Sequence, residues 1–225
     1  MKKILFVIFL LTSISYSQVQ RDTGPLGNML SNNIDDFALQ RIDKVYAGEY
    51  SDKIRGDVYL FDDWPTCVVR TNLKEEGLNF SLPCNYNLFT DKFEMKVDNE
   101  VYFLKKEVIL EVIKQEQSFI PNPNMTTPGS KNYVEVLANG NKFDLVRIYE
   151  LKIKDVQSST SLGLYEKKIA IKDELYFMTD TNMLIEVPNS KKKIYKLLEL
   201  TPAEKDQISG NIKRVENLKK AVEMI

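Results

Sequence analysis

The pattern of apolar and polar positions divides the chain into three kinds of segment. Residues 4–11 form an unbroken apolar run, residues 58–187 carry short strand-like runs between turn residues, and residues 189–225 carry apolar side chains three and four positions apart. Short alternating runs predict half-buried strands, whereas spacings of three and four predict amphipathic helices. We therefore predict a mainly β protein (β-rich α+β), built as an antiparallel meander sheet or an open barrel with short C-terminal helices.

The predicted elements define four segments along the chain. They are a signal peptide at residues 1–17, an N-terminal leader at 18–57, an antiparallel β domain at 58–188, and C-terminal helices packed on that domain at 189–225. Within the leader, Ile34–Ile42 has helix-like spacing after Asn33, which predicts one short helix. The polar residues 46–57 predict a loop.

Three hairpins are predicted in the β domain. Asn139-Gly140 lies between two strand-like runs, and an Asn-Gly pair supplies the two positive φ angles of a type I′ turn. Further hairpins are predicted to turn near Asp98-Asn99 and around Asp180–Asn182. Residues 118–132 carry three prolines and predict a long loop, for which the composition favours disorder over a functional role.

A fourth hairpin is predicted from residue arithmetic. If residues 74–77 form a symmetric loop, Thr71 pairs with Phe80 and Cys67 with Cys84, and the apolar members of both strands share one face. Directly opposed cysteines in an exported chain predict a disulfide, worth about 2–3 kcal/mol for a loop of this length. The alternatives are two buried free thiols and a bulge that breaks this register.

Helix boundaries are clearest after the β domain. Residues 190–200 predict a short helix, whose start at Lys191-Lys192-Lys193 we interpret as a solvated charge run rather than a site for anions or lipid head groups. Thr201-Pro202 followed by Glu204 is the pattern of an N-cap, a first-turn proline and a capping box. Gly210 predicts the end of that second helix, and a last helix follows it.

The N-terminal apolar run predicts where the protein is located. It follows Met1-Lys2-Lys3 and precedes Ser15-Tyr16-Ser17, which places small residues at the −3 and −1 positions of a cleavage site before Gln18. We predict a signal peptide cleaved after Ser17 and a periplasmic or secreted protein. No other apolar run in the sequence is long enough to span a membrane.

The amino-acid composition excludes several classes of binding partner and of catalytic site. Cleavage removes Lys2 and Lys3 from the 31 basic residues and none of the 32 acidic ones, so the mature net charge is near −3. That balance disfavours nucleic acid and anionic membranes as partners. The chain has no histidine, which excludes serine–histidine and cysteine–histidine catalysis and every imidazole metal site. We predict no metal and no cofactor.

The most distinctive string for binding runs from Tyr59 to Trp64. In a sugar-binding site Trp64 would be a stacking platform, with Asp62 and Asp63 as hydrogen-bond acceptors and Tyr59 beside them. The alternative is a strand that leads into a turn and buries Phe61 and Trp64, because adjacent residues of a strand point to opposite faces. We predict no catalytic residues, since nothing local selects a pair of carboxylates for glycoside hydrolysis.

Three strings resemble a family of exported proteins from Gram-negative bacteria of the Bacteroidota type. They are YLFDDW at Tyr59–Trp64, YNLFTD at Tyr86–Asp91 and YFLK at Tyr102–Lys105, and the similarity covers most of residues 56–225. The resemblance implies an exported protein of this fold and implies no activity. The paired cysteines are peculiar to this sequence.

The sequence favours an exported, non-catalytic binding or structural protein whose partner is unknown, with a cell-envelope protein or a glycan as candidates. Two other hypotheses stay open. A curved sheet half-closed by helices would carry an apolar ligand, which requires a void lined by inward apolar side chains. A histidine-free hydrolase would act on glycans with two carboxylates near Trp64, which requires two acids that converge on a cleft.

Overall fold

The computed structural model describes residues 39–41, 54–55, 57–73, 78–97, 100–124, 131–159, 164–208 and 210–225. Twelve strands lie in these ranges: β1 Leu39–Arg41, β2 Ile54–Arg55, β3 Thr66–Thr71, β4 Leu78–Asn87, β5 Lys92–Val97, β6 Glu100–Leu104, β7 Ile109–Lys114, β8 Gln117–Pro121, β9 Tyr133–Ala138, β10 Phe143–Ser159, β11 Leu164–Thr179 and β12 Leu184–Glu186. Three short helices follow: α1 Lys191–Leu197, α2 Pro202–Gln207 and α3 Val215–Glu223. The predicted mainly β fold with C-terminal helices is confirmed.

The described strands form one sheet in the order β1-β6-β5-β4-β3-β7-β8-β9-β10-β11-β12. Every pair along this order is antiparallel, and β2 alone among the described strands pairs in parallel, with β11. The chain meanders from β3 to β6 in one direction, returns to the free edge of β3 with β7, and meanders on to β12. The predicted antiparallel meander is therefore interrupted once, between β6 and β7.

The sheet curls so strongly that strands far apart in its order come into contact. Strands β5 and β9 are five positions apart, which is about 24 Å across a flat sheet. The ring centroids of Phe93 on β5 and Tyr133 on β9 are nevertheless only 5.0 Å apart. Tyr86 from β4 and Phe119 from β8 pack against the Phe93 ring, with centroid distances of 4.9 and 5.3 Å. These four buried rings fill the concave side of the sheet.

Hydrogen bonds around Asp91 hold the curl closed at the end of β4. The Asn132 backbone N–H donates to Asp91 Oδ2 and its side-chain Nδ2 donates to the Asp91 carbonyl oxygen, both at 2.9 Å. The Tyr86 hydroxyl donates to Asp91 Oδ1. Asp91 has a φ of 57°, in the left-handed region that residues other than glycine seldom adopt. The β4–β5 turn is thereby fastened to the segment that enters β9.

A second core lies between the helices and strands β9, β10 and β11. Its fully buried members include Leu145 and Phe177 from the sheet and Ile194, Leu218 and Val222 from the helices. Helix α2 begins with the predicted capping box, since the Glu204 backbone N–H donates to Thr201 Oγ1 and the Thr201 N–H donates to the Glu204 carboxylate. Gly210 follows with a φ of 87°, as expected of a residue that ends a helix.

Gly140 lies where α3 approaches the β9–β10 connection. A Cβ atom there would stand 2.5 Å from the Val222 carbonyl oxygen and 2.6 Å from that of Phe143. The predicted hairpin is present, with Ala138 opposite Leu145, but neither Asn139 nor Gly140 has a positive φ, so the predicted type I′ turn is wrong. Glycine is required at position 140 because α3 packs close to its backbone. The turn geometry does not require it.

The β3–β4 hairpin contains the predicted disulfide in a different register. Thr71 faces Leu78 and Cys67 faces Leu82, two residues away from the predicted pairing. Cys67 and Cys84 lie diagonally across the two strands, with their Cα atoms 5.8 Å apart, and form a disulfide with no exposed surface. A shift of two residues leaves every side chain on its original face, so alternation alone could not detect it.

Contacts outside the hairpin account for the shift. The Asn72 backbone N–H donates to the Val108 carbonyl oxygen at 3.1 Å, and Asn72 Nδ2 donates to the Glu107 carbonyl oxygen at 2.9 Å. Both acceptors belong to the turn before β7. Asn72 is therefore bonded to that turn instead of extending the hairpin, and the Thr71 hydroxyl closes the last pair by donating to Leu78 O.

Three further predictions are corrected. Leu39–Arg41, within the predicted helix, form β1 and pair with β6, while Ile54–Arg55, within the predicted loop, form β2. Gln117–Pro121 form β8, so the predicted loop at 118–132 is shorter than expected. The signal peptide and most of the leader lie outside the described residues.

Two of the predicted hairpins are confirmed at their predicted turns. Val97 on β5 faces Glu100 on β6, which places the connection at residues 98 and 99. Met178 on β11 faces Leu184 on β12, and Asn182 in the connection has a φ of 62°. None of the helices in the described ranges is long and apolar enough to cross a membrane.

We expect Gly140→Ala to lower the free energy of unfolding by about 1–3 kcal/mol, because the added methyl group has to displace α3 or its own backbone. Urea denaturation followed by circular dichroism measures the change. Asn139→Ala, at the exposed neighbouring position, is the control and should be near neutral. An unchanged midpoint for Gly140→Ala would show that α3 does not depend on this contact.

We expect the Cys67–Cys84 disulfide to resist reduction in the native protein, because both residues have no exposed surface. Reductant with an alkylating agent should add two labels only in the presence of denaturant, as read by intact mass. The double variant Cys67→Ala/Cys84→Ala should lose about 3 kcal/mol of stability. Two labels on denatured protein without reductant would show free thiols instead.

Candidate functional site

The Tyr59–Trp64 segment is fastened across the end of the sheet by one buried amide. Asn85 Oδ1 accepts from the Phe61 backbone N–H at 3.0 Å, and Asn85 Nδ2 donates to the carbonyl oxygens of Phe61 and Asp63 at 2.8 and 2.7 Å. Phe61 is buried by this arrangement, while the side chains of Asp62 and Asp63 are exposed. The segment thus presents two adjacent carboxylates to solvent from a rigid backbone.

Tyr59 and Trp64 pack against each other and over a buried carboxylate. Their ring centroids are 5.3 Å apart, and Lys96 Nζ lies 4.1 Å from the centre of the Trp64 ring. The Tyr59 hydroxyl donates to Glu94 Oε2 at 2.7 Å, and Asn87 Nδ2 donates to Glu94 Oε1 at 2.9 Å. One face of Trp64 is therefore occupied by a cation of the protein itself, which leaves less of the ring for stacking a ligand.

Burial raises the pKa of both members of this pair. Desolvation raises the pKa of the Glu94 carboxyl above its ordinary value, and the hydrogen bonds from Tyr59, Asn87 and Thr90 partly oppose that rise. The pKa of the Tyr59 hydroxyl is also raised, first by its own burial and then by its bond to Glu94. Glu94 and Tyr59 therefore anchor the segment from within the fold.

Asp62 and Asp63 line an open pocket of about 390 Å³. The other lining residues come from the segment itself and from three distant strands: Leu60, Phe61, Lys114, Gln117 and Tyr149. Of the four residues predicted for binding, the pocket brings together Asp62 and Asp63. Tyr59 and Trp64, at the two ends of the segment, are not among the lining residues.

A second buried carboxylate, Glu135, holds the floor of this pocket. Glu135 is 3% exposed and accepts from Gln117 Nε2 at 2.9 Å and from the Tyr149 hydroxyl at 2.7 Å. The Arg147 guanidinium lies 3.3 Å from the same carboxylate and donates to the Tyr149 hydroxyl. Two lining side chains are thus held in place by Glu135, which is the preorganisation that a binding site requires.

Sequence reasoning missed Gln117, Glu135 and Tyr149 because they belong to strands far from Tyr59–Trp64 along the chain. One signal for Glu135 was present. In the strand YVEVLA it shares a face with Tyr133, so period two places an acid at a buried position. The side chains that donate hydrogen bonds to Glu135 are set by the pairing of the strands. That pairing could not be derived from the sequence.

The side chains left available for a ligand are two acids and one ammonium. Within the described residues, no hydrogen bond or ion pair engages the carboxylates of Asp62 and Asp63. Lys114 Nζ lies 4.2 Å from the centre of the Phe61 ring and donates to Gln117 Oε1 at 3.3 Å, which leaves two of its three protons. The pocket therefore offers acceptors on one side and a donor on the other.

The arrangement suits binding better than acid–base chemistry. A glycosidase needs one carboxyl group in apolar surroundings as general acid and a second at a set distance. Asp62 and Asp63 are exposed, and both oxygens of each buried acid, Glu94 and Glu135, accept hydrogen bonds from the protein. Across the described ranges, no group of three or more acids and cysteines is placed to hold a metal ion.

Comparison of the chain with protein-family models, with curated proteins and with solved structures returns no match. The fold and the site define the class only as a mainly antiparallel β protein with a polar surface pocket. The resemblance to an exported bacterial family stays a prediction, and function is argued from the side chains of the pocket.

The raised pKa of Glu94 predicts a pH dependence of stability. The folded pKa lies above the ordinary value of 4.5, so the contribution of Glu94 to stability is complete below that pH and is lost as the pH rises through the folded pKa. Wild type should therefore lose stability relative to Glu94→Gln as the pH rises. Urea unfolding at several pH values measures the difference.

The exposed variant Glu116→Gln is the matched control, since it removes the same charge without a buried partner. Its difference from wild type should stay nearly constant over the same range. A constant difference for Glu94→Gln as well would show that Glu94 is not shifted by burial.

Proposed function

We propose that this chain is an exported, non-catalytic binding protein and that the pocket beside Asp62 and Asp63 holds a glycan of the cell envelope. The observation that carries the proposal is the division of roles within the pocket. Gln117 and Tyr149 are fixed by buried Glu135, while Asp62, Asp63 and Lys114 keep hydrogen-bonding capacity for a ligand.

The available groups match a ligand rich in hydroxyl groups. A sugar hydroxyl donates to a carboxylate and accepts from an ammonium, so one ring can engage Asp62 or Asp63 together with Lys114. The partly exposed ring of Tyr149 adds apolar surface to the same pocket, which suits the C–H face of a saccharide. A volume of about 390 Å³ is within the range of small-ligand sites.

Export rests on two features that agree with each other. The N-terminal residues have the layout of a signal peptide cleaved after Ser17, and the Cys67–Cys84 disulfide is consistent with an oxidising compartment. We therefore assign the protein to the periplasm or the cell exterior. A glycan of the envelope is available in either place.

The two other hypotheses have less support. A carrier of apolar ligands needs a void on the concave side of the sheet, where Tyr86, Phe93, Phe119 and Tyr133 pack ring against ring. A glycan hydrolase needs a buried acid that is free to transfer a proton, and Glu94 and Glu135 are both engaged by protein donors.

A glycan microarray carrying bacterial envelope polysaccharides tests the proposal. Wild type should bind at least one glycan, and Asp62→Asn/Asp63→Asn should bind it about ten-fold or more weakly, because charge-assisted hydrogen bonds are lost. Titration calorimetry with the glycan found on the array gives the affinities.

Asp180→Asn/Asp206→Asn is the matched control, because it removes two exposed carboxylates outside the pocket. It should bind as wild type does. The proposal fails if no glycan binds or if the two double variants bind equally well. Release of reducing sugar from a bound glycan would instead identify a hydrolase.

A further inference from the structure

Charge is segregated in this protein although its net charge is small. Residues 190–225, which contain the three helices, carry nine of the 31 basic residues and five of the 32 acidic ones. This helical region is therefore positive by four charges, while the rest of the chain is negative by five. The total charge of −1 is therefore the sum of a basic helical region and an acidic remainder of the chain.

Two of the five acids in the helical region form an ion pair or hydrogen bonds with other groups of the protein. The Glu199 carboxylate pairs with Lys142 from the β9–β10 connection, at 2.6 Å. The Glu204 carboxylate accepts from the Thr201 backbone and hydroxyl in the capping box, and these bonds lower its pKa. Only the pair with Lys142 takes an acid away from the helical lysines, because Glu204 keeps its charge and interacts with Lys205.

The helices bring lysines together from different parts of the sequence. Lys191 from α1 and Lys205 from α2 both lie over the ring of Tyr195, at 5.2 and 5.7 Å from its centre. Lys220 from α3 donates to the carbonyl oxygen of Gln207 at the end of α2. Lys192, Lys193 and Lys196 of α1 are exposed as well. None of these lysines lines the pocket beside Asp62 and Asp63.

The sequence alone favoured a solvated charge run at Lys191-Lys192-Lys193, but it could not show that lysines of α2 and α3 lie near α1. We propose that these helical lysines form a lysine-rich face that docks on an anionic phospholipid surface. Eight of the nine basic residues are lysine, a point charge that suits mobile phosphate head groups, whereas arginine is the residue of choice for fixed bidentate recognition. The proposal goes beyond glycan binding, since it concerns residues that do not line the glycan pocket.

Vesicle co-sedimentation tests this inference with the chain that begins at Gln18, the predicted mature form. Vesicles contain phosphatidylcholine alone or phosphatidylcholine with phosphatidylglycerol, at low and high salt. We expect binding to the anionic vesicles only, weakened by salt because surface charges are screened. Lys191→Gln/Lys205→Gln should bind roughly ten- to thirty-fold more weakly.

The matched control is Lys154→Gln/Lys168→Gln, which removes two exposed lysines that face each other across β10 and β11. It should bind the anionic vesicles as wild type does, and circular dichroism should show that both double variants are folded. Equal binding by the two double variants, equal binding to neutral vesicles, or no binding to either vesicle would overturn the proposal.

A parallel assay on alginate beads separates a lipid from an anionic glycan. Binding to the beads without binding to the vesicles would assign the lysine-rich face to a polysaccharide and reject the lipid. The glycan pocket is tested independently, because Asp62→Asn/Asp63→Asn leaves all nine basic residues of the helical region in place. Loss of vesicle binding and loss of glycan binding are therefore distinguishable.

Discussion

The contact between β5 and β9 is the constraint on which the rest of the structure depends. A flat antiparallel sheet would leave one face of Phe93, Phe119 and Tyr133 in water, and burial of such rings stabilises a fold by a few kcal/mol each. Curling the sheet buries the rings against one another and requires the β4–β5 turn to meet the start of β9. The hydrogen bonds between Asp91 and Asn132 satisfy the polar backbone at that meeting point.

The curl also produces the pocket. It brings β7, β8 and β10 to the Tyr59–Trp64 segment, so that Lys114, Gln117 and Tyr149 face Asp62 and Asp63. Buried polar side chains fix both walls of the pocket. Asn85 bonds to the backbone of the Tyr59–Trp64 segment, and Glu135 accepts from Gln117 and Tyr149 on the strands. Each is hydrogen-bonded to the protein, as a buried polar group must be if it is not to destabilise the fold. The site is thus supported from inside the fold.

Sequence signals predicted correctly those features that depend only on neighbouring residues. The capping box at Thr201 and the hairpins at residues 98–99 and 180–182 depend on a few neighbouring residues, and they form as predicted. The register of the β3–β4 hairpin and the role of Gly140 were misread for one common reason. Asn72 bonds to the turn before β7, and Gly140 meets α3, so each answer lies in a contact distant in sequence.

The sequence by itself determined the fold class and the faces of strands β3 and β4, and it predicted the cysteine pair, because alternation and turn chemistry act over a few residues. Only the tertiary structure decided that Trp64 lies beside Lys96 outside the pocket and that Glu135 orders the pocket floor. It also brought a lysine of α1 and a lysine of α2 over the ring of Tyr195. Such groupings follow from strand order and helix packing, which bring together side chains that no spacing along the chain connects.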